Sequence, residues 1–78
     1  MRTSTSAQLG ELIRERRHEA GLTQKQLAAL AGVSPRLVLE LEHGREGVGV
    51  ALVLRVLATL GLDVHVVRRG DPVPGASS

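Results

Sequence analysis

Apolar residues recur along this chain at helical spacing in four runs and at alternate spacing in a fifth. Leu9, Leu12 and Ile13 lie about one helical turn apart. They predict a first helix over about residues 6–20, with Arg14, Glu15, His18 and Glu19 on its solvated side. A second helix follows Thr23, with Leu27, Leu30 and Ala31 at i, i+3 and i+4 as its inward face. The Thr23 hydroxyl is placed to accept from the orphan backbone N–H near Gln26, and Gln26 completes the pattern of a capping box. Gly32 stands where the chain leaves that helix. Ser34 then caps a third helix, and Pro35 takes its first position, where a missing N–H removes no bond. Leu37, Val38 and Leu41 supply its inward face, and Gly44 ends it.

Beyond a glycine-rich loop at residues 45–49, Leu52, Val53, Val56, Leu57 and Leu60 give a fourth helix, over about residues 50–60, a broad apolar face. Leu54 widens that face beyond what a small monomer would hide, so a second subunit is expected to cover the surplus. After Gly61 the period changes. Leu62, Val64 and Val66 alternate with Asp63 and His65, a strand pattern. A single strand in a helical chain leaves its backbone groups unpaired. The simplest partner is the same strand of a second copy, antiparallel across a twofold axis. The alternative is an extended tail packed on the fourth helix. The expected domain therefore spans residues 6–67. Residues 69–78, with Gly70, Pro72, Pro74 and Gly75, are expected to be disordered or to fold on a partner.

With 78 residues the chain forms one domain with a thin core, for which oligomerisation is a common remedy. It has no Cys, which excludes disulfides and thiolate sites, and no Phe, Tyr or Trp, which argues against stacking on single-stranded bases. A net charge of +2 is too small for a polybasic tail, so the positions of the arginines matter more than their number. No apolar signal core or membrane-length run is present, and a soluble cytoplasmic protein with no membrane role is expected. His18, His43 and His65 lie far apart without ligand partners one turn away, and no Ser sits with a plausible base. The glycines around Val48 lack the Lys of a phosphate-binding loop. No catalytic residue, metal or cofactor is expected, and the chain is not expected to be an enzyme.

Two short helices joined by a tight turn containing Gly form a helix-turn-helix pattern. Thr23-Gln24, Leu27-Ala28, Gly32-Val33-Ser34, Val38, Leu41-Glu42 and Gly44 resemble, in register, the Cro/repressor-type helix-turn-helix family. That resemblance implies an all-α, lambda-repressor-like domain of four or five helices. It also implies a third helix lying in the DNA major groove, and a pair between Arg17 of the first helix and Glu42 at the end of the third. The segments L-R-V-L-A-T-L-G-L-D-V-H-V, V-S-P-R-L-V-L-E-L-E-H-G and G-V-G further resemble the HipB-type antitoxins. This narrower resemblance implies a homodimer joined by a small intersubunit ribbon, here Leu62, Val64 and Val66. It also implies repression of its own operon and a HipA-type serine/threonine kinase toxin as partner.

On double-stranded DNA, positioning contacts separate from base-reading ones. The start of the second helix, with Thr23, Gln24 and Lys25, is expected to meet phosphate, helped by free N–H groups and the helix dipole. Ser34 and Arg45 are expected to do the same. Pro35, Arg36, Leu39 and Glu40 project from the third helix as candidate base readers. Arg36 can bond guanine O6 and N7 with two donors, or take a phosphate instead. Glu40 can accept from cytosine N4, orient Arg36, or remain a solvated acid. Pro35 and Leu39 can touch only thymine methyls or sugars, which points to a short or shape-assisted readout. A dimer would read a roughly palindromic operator. Two other functions fit the residues: a regulator without a toxin, and a protein-binding adaptor that has lost DNA binding.

Overall fold

The structure, a computed structural model, describes residues 6–63. Four helices follow in order: α1 Ser6–Glu19, α2 Gln24–Ala31, α3 Pro35–Glu42 and α4 Val50–Thr59. These are the four helices the apolar spacing predicts, and among the described residues the architecture is the all-α one the resemblance implies. The expected strand through Val64 and Val66 and the expected tail at residues 69–78 lie outside the described residues.

Local chemistry sets the helix starts. The Thr23 hydroxyl accepts from the Gln26 N–H at 3.0 Å, and the Thr23 N–H donates to the Gln26 side chain at 2.9 Å, completing the capping box of α2. The Ser34 hydroxyl accepts from the Leu37 N–H at 3.1 Å, with Pro35 in the first turn of α3. The helix ends share one device. Leu22, Val33, Arg45 and Leu62 each donate a backbone N–H to a carbonyl five residues back, at Arg17, Ala28, Glu40 and Leu57. The glycine before each donor is at positive φ. Leu62, expected in the dimer strand, thus gives its N–H to the end of α4 and packs its side chain against the core.

Ile13, Leu27, Val38 and Val56, one from each helix, are fully buried and centre a single cluster with Ala28, Ala31, Leu41 and Leu57. Each large side chain buried there contributes roughly 1.5–3 kcal/mol. α2 packs on both α3 and α4, while α1 packs on α3. α2 therefore buries the row Leu27, Ala28 and Ala31, with Gln24 half-buried at its start. Leu30, expected on the inward face, lies off that row and is 65% exposed. The spacing of Leu27, Leu30 and Ala31 fits two overlapping faces, and packing on α3 and α4 buries the one through Ala28. On α4, Val50 and Leu54 stand exposed one turn apart, so the surplus apolar surface expected there is open in this chain.

Two glycines set how closely α1 and α3 approach. A Cβ on Gly10 would lie 2.4 Å from the Leu41 carbonyl oxygen and 2.8 Å from that of Glu42. A Cβ on Gly44 would lie 2.9 Å from the Ala7 Cα, and Gly44 also sits at φ 75°. Backbone thus meets backbone across the crossing, and the last turn of α3 is fixed against α1. Among the described residues no helix is long and apolar enough to cross a membrane.

Candidate nucleic-acid interface

A buried ion pair anchors the end of α3. Arg17 Nε donates to Glu42 Oε2 at 2.6 Å and Arg17 Nη2 donates to Glu42 Oε1 at 3.0 Å. Both side chains are nearly buried, at 10% and 3% exposure. The remaining donor of Arg17, Nη1, reaches the Leu22 carbonyl at 2.8 Å, and the His18 ring accepts from Nη2 at 3.1 Å. Glu42 Oε1 also accepts from Gln24 Nε2 at 3.2 Å. The pair expected from the resemblance is present, and no buried side-chain nitrogen or oxygen among the described residues lacks a partner. α3 is tied to α1 by this pair and to the start of α2 by Gln24.

The outward side of α3 holds the expected base readers. Pro35 and Arg36 are exposed, Arg36 with 81% of its side chain free, and Leu39 is 40% exposed. Glu40 is half-buried, and its Oε1 accepts from Arg36 Nε and from Arg45 Nη1, each at 3.3 Å. Arg36, Glu40 and Arg45 therefore form one cluster, which the sequence reading joined only in its Arg36–Glu40 half.

The expected phosphate-facing residues divide by what the fold asks of them. Thr23 and Ser34 accept backbone N–H bonds as caps, which leaves each hydroxyl proton free to donate outward. Gln24 turns its amide onto Glu42, toward the buried pair, instead of standing clear of the surface. Lys25 is exposed. Beside Gln24, a polar cleft is lined by Arg14, Arg17, Gln24, Glu42 and His43. The helical spacing places Arg14 on the solvated side of α1 and gives His43 no role. Their positions still carried a signal, since Arg14 precedes Arg17 by one helical turn and His43 adjoins Glu42. No group of His, Asp and Glu suited to a metal occurs among the described residues. Of the expected dimer residues, Leu62 is half-buried on the core, and Val64 and Val66 lie outside the described residues.

Comparison with known proteins gives four matches. The family described as "Helix-turn-helix domain" matches residues 8–70. An uncharacterized HTH-type transcriptional regulator, y4mF, from Sinorhizobium fredii is 39% identical over 70 residues, covering 90% of this chain and 92% of that protein. Among solved structures, the clp gene regulator ClgR from C. glutamicum superposes with a TM-score of 0.69 at 34% identity, covering 82% of each chain. A chain from a HipA–HipB–O2–O3 complex superposes with a TM-score of 0.77 over 87% of this chain and 96% of its own length. At 19% identity that last likeness is one of fold. The extent of the family match and the identity to y4mF place this chain in the helix-turn-helix family of transcriptional regulators.

Proposed function

We propose that the chain is a sequence-specific repressor that binds double-stranded DNA as a homodimer in the cytoplasm. We further propose that it serves as the antitoxin of a HipA-type serine/threonine kinase toxin and represses its own operon. The observation that carries the DNA reading is the presentation of α3. Its apolar side is buried through Val38 and Leu41, its end is locked by the Arg17–Glu42 pair, and its other side offers Pro35, Arg36, Leu39 and Glu40. A helix held this firmly by its scaffold suits insertion into a major groove. In this reading Thr23, Lys25, Ser34 and Arg45 meet phosphates, with Arg14 and His43 extending that edge at the rim of the polar cleft, while Gln24 braces Glu42. The exposed Val50 and Leu54 of α4 support the dimer. Leu62, Val64 and Val66 would carry the dimer contact onward from the end of α4. The HipA–HipB–O2–O3 complex supports the antitoxin reading through shared fold. A regulator without a toxin is the runner-up, favoured by the higher identity to ClgR.

Footprinting on DNA upstream of the chain's own gene, at two salt concentrations and with mass measured in solution, tests this function. Two related protected half-sites are expected, with log K falling against log salt by about 0.9 per phosphate contacted. Arg36→Ala is expected to weaken binding by about 1–3 kcal/mol and to relax preference at one base pair. An affinity indifferent to salt would favour the adaptor reading. Co-purification with the product of a neighbouring kinase-like reading frame separates the antitoxin from the regulator without a toxin.

A further inference from the structure

We infer that Glu40 is a positioning residue: it presets Arg36 for a base and withholds Arg36 from phosphates of unrelated sequence. This rests on the DNA-binding reading above and deepens it. One carboxylate oxygen, Glu40 Oε1, accepts from both arginines at 3.3 Å. Arg45 is tied to Glu40 a second time, since its backbone N–H donates to the Glu40 carbonyl at 3.0 Å. Its backbone therefore follows α3 closely, although it lies beyond the helix end. Glu40 is the least exposed member, at 26% of its side chain against 81% for Arg36 and 64% for Arg45. The anchored partner is the acid, and the two cations are held against it.

The donors involved give the arrangement its direction. Arg36 meets Glu40 through Nε. Among the described residues neither of its terminal nitrogens has a partner, and those are the pair that meets guanine O6 and N7 end-on. Base reading therefore keeps the Glu40 bond. Phosphate neutralisation opposes it, because three groups with two positive charges and one negative present a net charge of one. A phosphate approaching Arg36 also meets the carboxylate. A correct base keeps the cluster intact, and an unrelated backbone must work against it. Discrimination of this kind comes from a repulsive element as well as an attractive one.

The test compares the full chain with Glu40→Gln and Glu40→Asp on two duplexes of equal length, the protected upstream sequence and an unrelated one, over a salt series. Glu40→Gln removes the negative charge. Affinity for the unrelated duplex is expected to rise about tenfold near 0.1 M salt, with a slope steeper by about one, the signature of one further phosphate contact. The preference for the protected sequence is expected to fall at least about tenfold, while the melting temperature stays within about 2 °C, as for an exposed pair. Glu40→Asp keeps the charge on a shorter stem, so preference is expected to fall while the slope on unrelated DNA stays unchanged. Unmoved preference and slope in Glu40→Gln would overturn the inference. So would a parallel loss on both duplexes accompanied by a lower melting temperature, which would assign Glu40 a structural role. Wild-type chain that binds neither duplex would overturn the DNA-binding reading itself, and this inference with it.

Discussion

Replacing Glu42 with Ala should lower the melting temperature by at least about 12 °C. The reason is what the substitution leaves behind. Arg17 is held by two bonds to Glu42 with little access to water. Without the carboxylate, a charged guanidinium remains nearly buried with only the Leu22 carbonyl and the His18 ring as partners. Breaking one side of such a pair costs about 3–5 kcal/mol, and in a domain of this size each kcal/mol corresponds to about 4–8 °C. Gln24 also loses its acceptor, so the start of α2 loosens. Arg17→Ala should destabilise by the same mechanism with the charge reversed. The double variant Arg17→Met with Glu42→Leu should be more stable than either single one, because replacing both members by apolar groups leaves no orphan charge. Thermal unfolding followed by circular dichroism decides the matter. A drop below about 4 °C for Glu42→Ala would mean the pair behaves as a surface contact worth under about 1 kcal/mol.

Gly10→Ala should destabilise the fold, against the usual sign of such a change. Within a helix, Gly to Ala ordinarily gains about 0.5–1 kcal/mol. Here the added Cβ would sit 2.4 Å from the Leu41 carbonyl oxygen and 2.8 Å from that of Glu42, and neither backbone atom can rotate away. α1 and α3 must separate, at a cost of about 1–3 kcal/mol for overpacking and more where the shift strains the Arg17–Glu42 pair. Gly49→Ala is the control. Gly49 is at negative φ and a Cβ there meets nothing within 4 Å, so Gly49→Ala should lose only the modest preference for glycine over alanine at the N-cap of α4 and fall less than Gly10→Ala. A melting temperature for Gly10→Ala at or above that of the parent would show that the crossing has room to spare.

What the sequence disclosed follows the range of the physics involved. Caps at Thr23 and Ser34 and helix ends at Gly21, Gly32, Gly44 and Gly61 are decided within a few residues, so spacing alone located them. The inward face of α2 was ambiguous because Leu30 and Ala28 both complete a helical row with Leu27 and Ala31. Packing against α3 and α4 settles that choice, and a single helix cannot encode it. Gly10 left no trace, since a helix-interior glycine signals a close approach only when the approaching backbone is known. At the site, Arg36 and Glu40 stand four residues apart and were legible as neighbours on one helix. Arg45 joined them unforeseen, because its direction depends on how the chain turns at Gly44. Gln24 was assigned outward from its place at a helix start, and the Glu42 carboxylate draws it inward.

In the proposed function the exposed side of α3 lies against a DNA duplex. Amide chemical-shift mapping of the full chain, titrated with a duplex carrying the protected upstream sequence, tests it most directly. The account predicts the largest changes at residues 34–40, with a second group at residues 23–25 and at Arg45, and little change along the outer face of α4 beyond that of the free protein. Perturbations confined to Leu30 and α4, with residues 34–40 unmoved at saturating duplex, would contradict it.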